Sequence, residues 1–397
     1  MSLHPQDFFP IPSETERVAR AAFPKGCLAL HVAAALGPVF QDQQFTALFP
    51  QRGQPAEAPA RLALATLLQF AEGLSDRQAA DAVRGRIDWK YALALELTHP
   101  GFDHTVLSEF RSRLVEGKAE LLVFNTLLTR CQELGLLKKR GRQRTDSTHV
   151  LAAVRVLNRL ERVGETLRAA LNALAVVAPD WLQGVASAEW YPRYGERVEN
   201  FDLPKTEKAR QDLAATMAAD GQKLLAAIDA DPEQSWLQEV PAVRILRQVW
   251  EEQYVEHEGQ LCFRDSKDMP SPAELIASPY DAEARYSNKR SVEWVGYKVH
   301  LTETCDDERA PHLITNVETT PATTPDDNML ALVHESLQKR DLLPAEHLVD
   351  KGYTDSETLV ESKQRYGVEI IGPVADDPIA ASADGSGARS VRVTSFL

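Results

Sequence analysis

Apolar residues fall at helical spacing through the first third of the chain and at alternate positions in parts of the last third, which predicts a helical region followed by a strand-bearing one. The opening is irregular. Pro5, Pro10, Pro12, Pro24, Pro38 and Pro50 predict an arm with one or two short helices. Beyond Pro59, Leu62, Leu64, Leu67, Leu68 and Phe70 mark a helix closed by Gly73. Ser75-Asp-Arg-Gln78 is a capping-box signature, so a second helix starts at once through Ala79, Ala80 and Val83. A third is expected from Trp89 to Leu97, ended by Pro100 and Gly101. A fourth begins near Thr105, with Leu107, Phe110, Leu114 and Val115 on one face and Ser108, Arg111 and Ser112 opposite. Small helices so arranged suit a helix-turn-helix reader of DNA or an ordinary bundle, and spacing alone favours the bundle. A further helix, Glu120 to Leu137, leads into a basic stretch.

From Arg144 the character changes. Val150, Leu151, Val154 and Val156 suggest a strand around Asp146 that turns into helix near Asn158. An Ala- and Leu-rich, acidic helical insert follows, with helices from Arg159 to about Ala178, Lys205 to Ile228 and Val240 to Tyr254. Alternation resumes at Trp294 to Thr302, where Val295, Tyr297, Val299 and Leu301 alternate with polar neighbours. A second such strand, His312 to Thr319, would pair with it as a hairpin across Cys305 to Pro311. Then come a helix Asn328 to Lys339 capped by Asp326 or Asp327, a strand Ala345 to Val349, a helix Ser356 to Tyr366 and a strand Val368 to Val374. The expected class is therefore α/β with an all-α N-terminal domain. With the helical insert set aside, the element order is that of the ribonuclease H-like mixed sheet.

Composition narrows the setting. At 397 residues the chain has room for two or three domains, and its apolar and charged contents are ordinary for soluble protein. No apolar stretch approaches the ~20 residues needed to span a bilayer, and the N-terminus lacks the apolar run of a signal peptide. No membrane partner is expected, and a cytoplasmic protein is the simplest reading. Cys27, Cys131, Cys262 and Cys305 form no CxxC pair, so they read as buried or free thiols. The net charge of −14 argues against a nucleic-acid partner over the whole chain, but its distribution does not. Between Arg111 and Arg144 nine basic residues, Lys138, Lys139, Arg140 and Arg142 among them, face three acids. Local DNA contact and a merely solvated Lys/Arg turn account equally well for that surplus.

Two aspartates stand out by their surroundings. Asp146 in Thr-Asp-Ser-Thr-His149 and Asp350 in Leu-Val-Asp-Lys-Gly-Tyr353 each follow a strand-like run. Taken alone, each reads as a turn or cap residue. Lys298 and His300 share one face of a strand, and Arg155 and Arg159 follow Asp146 at helical spacing. All four could reach a phosphate or could equally be exposed polar positions, and the same ambiguity holds for Lys351.

Several motifs in order carry a family resemblance. Thr145-Asp-Ser-Thr-His149 with Val154 to Arg159, Asp281-Ala-Glu-Ala-Arg285 with Trp294 to His300, Thr319-Thr-Pro-Ala322 and Leu348 to Tyr353 resemble DDE-type insertion-sequence transposases. The resemblance covers roughly Leu62 to Val374. It implies an N-terminal arm over 1–57, a helical DNA-binding domain over 58–140, and a ribonuclease H-like catalytic core over 141–375 interrupted by the insert 157–280. It also implies double-stranded DNA with terminal inverted repeats as partner, Mg²⁺ or Mn²⁺ as cofactor, and synapsis of two ends compatible with a homodimer. Asp146 and Asp350 take the positions of the family's first two metal-binding acids. Arg111, Lys138, Lys139, Arg140, Arg142, Arg155, Arg159, Lys298 and Lys351 become its candidate DNA contacts. The third acid is a Glu after the fifth strand, and the residues from Ala375 onward contain none. Glu357 and Glu361 follow the fourth strand instead. Residues 376–397 then read as an irregular tail on a truncated or frameshifted chain, with an inactive DNA-binding or inhibitory remnant as the alternative function.

Overall fold

The structure is a computed structural model that describes residues 2–6, 9–199, 202–289, 291–306, 311–373 and 390–392. It divides into two compact units, Met1–Lys139 and Arg140–Leu397. Among its described residues the first holds seven α-helices: α1 (Ser13–Ala22), α2 (Leu28–Leu36), α3 (Pro59–Glu72), α4 (Asp76–Gly85), α5 (Ile87–Ala92), α6 (Thr105–Glu116) and α7 (Glu120–Glu133). Its apolar core joins Leu62, Leu68, Val83, Trp89, Leu107 and Phe110. Ala29, Phe40 and Phe45 belong to the same core, so the proline-rich opening is packed into the helical unit.

Local chemistry sets the helix ends. α3 stops at Gly73, which takes a left-handed conformation at φ 66°, and the expected capping box of Ser75 and Gln78 opens α4. α5 ends at Ala92, five residues before the expected Leu97. There Lys90 Nζ donates to the carbonyls of Leu97 and His99, at 2.5 and 2.7 Å, and so fixes the following residues as a turn. α7 likewise ends at Glu133 rather than Leu137. Two residues of the expected apolar faces, Phe70 and Val115, are 73% and 63% exposed, so the buried stripes are narrower than the pattern implies.

The second unit is mixed α/β. β1 (Arg142–Leu151) leads to the helical insert of α8 (Arg159–Val177), α9 (Pro179–Val185), α10 (Trp190–Tyr194), α11 (Glu207–Asp229) and α12 (Pro241–Gln253). The insert has its own apolar core, including Leu167, Leu174, Leu224, Ile228, Leu246 and Trp250. A small hairpin of β2 (Tyr254–His257) and β3 (Gln260–Phe263) closes it, where the sequence suggested only the end of a helix. β4 (Arg285–Lys289), which the sequence reading did not include, and β5 (Val292–Thr304) bring the chain back to the main sheet. There follow β6 (Ile314–Pro321), α13 (Leu330–Lys339), β7 (Glu346–Val349), α14 (Ser356–Tyr366), β8 (Glu369–Pro373) and β9 (Ser390–Arg392).

The main sheet runs β4-β5-β1-β7-β8-β9, with β6 also paired to β5. β1 is antiparallel to β5 and parallel to β7, β7 is parallel to β8, and the expected β5–β6 hairpin is antiparallel. Gly296 sits where β5 passes closest to the end of β1. Its φ is 152°, and a Cβ there would lie 2.1 Å from the Val150 carbonyl oxygen. β9 pairs with β8 inside the stretch expected to be an irregular tail. The rest of that stretch from 376 lies outside the described residues.

Candidate active site

The sheet register places Asp146 and Asp350 side by side. Thr145 on β1 pairs with Val349 on β7, and each aspartate is the next residue along its strand. Because the two strands are parallel neighbours, Asp350, just past the end of β7, lies level with Asp146, which sits midway along β1 where that strand still pairs with β5 at Leu301. Alternation along the strands accounts for their exposure. Thr145 and Val349 point into the interior and are 3% and 7% exposed, whereas the acids that follow them face solvent. Asp146 Oδ1 accepts from the Ser147 amide at 2.7 Å. Asp350 caps the short turn 351–353, its Oδ1 accepting from the Gly352 amide at 3.0 Å. Asp146 also borders a surface depression of about 480 Å³ lined by Arg144, Thr148, Leu301, Glu303 and Ile314.

Beneath the two acids the side chains are buried and polar. Tyr353 is fully buried, and its hydroxyl lies 2.6 Å from His300 Nδ1. Burial, reinforced by the nearby Asp326, Asp350 and Asp146, holds the phenol well above its usual range. Burial likewise pushes His300 below the usual histidine range, so the pair is a neutral hydrogen-bonded tie between β5 and the Asp350 turn. Deeper in the sheet, Thr145 Oγ1 is 2.7 Å from both Thr302 Oγ1 and His347 Nε2, and His347 Nδ1 is 2.9 Å from His334 Nε2. Burial pushes His334 down to about 4, and His347 is lowered as well. None of Tyr353, His334, His347 or Thr145 stands out in the sequence as a site residue. In the sequence Thr145 and Tyr353 are marked only as members of the motifs around Asp146 and Asp350, and His334 and His347 carry no signal.

Asp326 departs from its expected role as a cap. It makes no side-chain cap bond to the helix that follows. Its Oδ1 instead accepts from Lys298 Nζ at 2.9 Å, and its Oδ2 accepts from Ser147 Oγ at 3.2 Å. Lys298, a candidate DNA contact, is thereby turned into the protein, and Nζ also donates to the Thr324 carbonyl at 2.7 Å.

The other candidates are mostly engaged locally. Arg155 lies in the loop before α8, so the helical spacing with Arg159 is not realised; it pairs with Glu161 and Glu199. Arg159 donates to Gln253 Oε1 and the Arg264 carbonyl and stacks over Phe263 at 4.1 Å. Arg111 pairs with Asp76, Arg142 with Glu346, and Arg140 donates to the carbonyls of Tyr366 and Gly367. Much of the basic run is therefore engaged locally, and its partly exposed ion pairs contribute ~1 kcal/mol or less each. Lys351 is exposed beside Asp350, and Glu361 pairs with Arg365 on α14. The four cysteines are free thiols.

Among the described residues no three His, Cys, Asp or Glu side chains converge as a metal shell, and no helix is long and apolar enough to cross a membrane. Residues 18–113, from within α1 to within α6, match the family described as Transposase domain (DUF772). No curated protein and no solved structure matches the chain. The family match supports a transposase role.

Proposed function

We propose that the chain is a DNA transposase of the DDE type, whose helical unit binds terminal inverted repeats and whose sheet carries the chemistry. The observation that carries this reading is the register that sets Asp146, midway along β1, level with Asp350 just past the end of the adjacent parallel β7, in a chain whose N-terminal helices match a transposase domain. The strand order β6-β5-β1-β7-β8, with β1, β7 and β8 parallel, supports a ribonuclease H-like core. The donor chemistry fits Mg²⁺ or Mn²⁺. Two exposed carboxylates are the usual protein share of a Mg²⁺ site, the remainder coming from water and substrate phosphate. Such an ion, held by Asp146 and Asp350, would supply activation of an attacking oxygen and charge neutralisation at phosphorus.

The protein's own part is to hold the two acids in register. The Ser147 and Gly352 amides each orient one of them, and the buried Tyr353–His300 tie fixes the turn that bears Asp350. The reading is tested by incubating the full chain with end-labelled terminal-repeat DNA and Mg²⁺ or Mn²⁺. Cleavage that disappears in Asp146→Ala is expected. DNA bound but left intact by the unaltered chain would favour a DNA-binding role without catalysis.

A further inference from the structure

The Lys298–Asp326 ion pair lies beside Ser147 and the Asp350 turn, and it is well shielded. Its side chains are only 17% and 11% exposed. A shielded pair persists when its remaining donors and acceptors are satisfied. That condition is met, since Lys298 Nζ also reaches the Thr324 carbonyl and Asp326 also accepts from Ser147. The pair meets both acid-bearing segments. Ser147 is the residue after Asp146 on β1. On the other side, a Cβ at Gly352 would stand 3.3 Å from Asp350 Oδ1 and 3.4 Å from Asp326 Oδ2, so the Asp350 turn and Asp326 enclose the same small space. Lys298 itself lies on β5 opposite His149 of β1.

We propose that the Lys298–Asp326 pair is a positioning device for the Asp146–Asp350 site, tied to β1 at Ser147 and packed against the Asp350 turn so that the two acids keep the spacing that admits a divalent cation. This inference rests on the metal-site reading above. Asp326 is not a third ligand in this arrangement. Its charge is already matched by an ammonium, and it forms no three-residue metal shell with its neighbours.

The test is Mn²⁺ binding to the full chain, read by electron paramagnetic resonance of free Mn²⁺, with the thermal unfolding midpoint recorded for each variant. The double variant Lys298→Met/Asp326→Asn leaves no unpaired charge. It is expected to unfold near the wild-type midpoint and to bind Mn²⁺ about 10- to 100-fold more weakly, the usual cost of losing an outer support of a metal site. Lys298→Arg, which keeps the pair, is expected to restore most of the affinity. A folded double variant that binds Mn²⁺ like wild type overturns the proposal. Should the double variant not fold, Ser147→Ala carries the test, because it cuts only the link from Asp326 to β1. Weaker binding then supports the proposal and unchanged binding overturns it. Asp146→Asn in the same assay separates the two levels of the argument. If it binds Mn²⁺ as wild type does, the metal-site reading fails and takes the proposal with it. If it loses Mn²⁺ while the double variant does not, only the role of the pair fails.

Discussion

The helical insert and the sheet it interrupts fill their interiors in different proportions. Between α8, α11 and α12 the core is a large cluster of Leu, Val, Ala, Ile, Met and Trp, packed by non-directional apolar contact, with Glu161, Glu165, Thr166, Glu252 and Gln253 also buried on α8 and α12. Within the sheet and on the α13 face against it, Gln143, Thr145, His300, Thr302, Thr315, Asn316, His334 and His347 are all buried, and the hydrogen bonds that link Gln143 to Thr315 and Thr145 to Thr302, His347 and His334 require particular distances and angles. Apolar burial stabilises a body without specifying a position to a fraction of an ångström. A hydrogen-bonded polar network does specify it, at the risk that a missing partner leaves a buried group with its full desolvation cost, as at His334 Nδ1, which is buried with no hydrogen-bond partner among the described residues. The polar interior adjoins the β1 and β7 segments that carry Asp146 and Asp350, where position matters most.

The largest expected effect separates the two regions by chemistry. Asp146→Asn or Asp350→Asn should lower metal-dependent cleavage about 10³-fold or more, the rate equivalent of several kcal/mol of lost transition-state stabilisation, with little change in unfolding midpoint. Leu174→Ala in the insert should do the reverse. Leu174 is fully buried, and its truncation should cost about 2–5 kcal/mol in urea unfolding while the folded protein still binds Mn²⁺ normally. If Leu174→Ala weakened Mn²⁺ binding as much as it weakened folding, the division of labour between insert and sheet would be wrong.

The polar interior should also show itself through pH. Donation can run in one direction, from His334 Nε2–H to His347 Nδ1 and from His347 Nε2–H to the Thr145 hydroxyl, which leaves both rings neutral. His334 has a folded-state pKa of about 4 against an ordinary 6.5, so the folded protein takes up its proton less readily than the unfolded chain. The stability this neutral ring contributes is complete above about pH 6.5 and is lost as pH falls toward 4. Unfolding midpoints measured between pH 7 and pH 4 should therefore drop, and His334→Leu should flatten that slope. An equal slope in the variant would place the acid sensitivity elsewhere. Thr145→Val, which keeps the shape but removes the hydroxyl from His347 and Thr302, should cost about 1–3 kcal/mol at neutral pH.

How much of this is legible in the chain depends on how local the determining interaction is. α14 is read to the residue, because Asp355 caps its start and Gly367 ends it in a left-handed turn, both within the helix's own neighbourhood. β4 escapes notice, since Arg-Tyr-Ser-Asn-Lys289 shows no apolar alternation and is held by pairing to β5. Asp146 and Asp350 are legible as candidates through their motifs, and only the register of β1 on β7 makes them neighbours. The role of Asp326 is invisible in sequence. Its neighbourhood reads as a helix start, whereas its partners lie 28 and 179 residues away.

The smallest effect concerns the junction where the polar strand β1 gives way to the apolar insert. Asn158 caps α8, its Oδ1 accepting from the amides of Leu160 and Glu161 at 3.0 Å, while Glu161 Oε2 accepts in turn from the Asn158 amide at 2.9 Å. Asn158→Ala removes the side-chain half of that box and should cost about 1 kcal/mol, read as a lower urea midpoint. The cap lies seven residues beyond the end of β1 and orders the first turn of the insert, with no hydrogen bond to β1 among those that define the box. Mn²⁺ affinity should therefore stay within experimental error of wild type. A change in that affinity larger than the loss in stability would mean that the insert transmits its order to the strand, and that the apolar and polar regions are coupled through this junction.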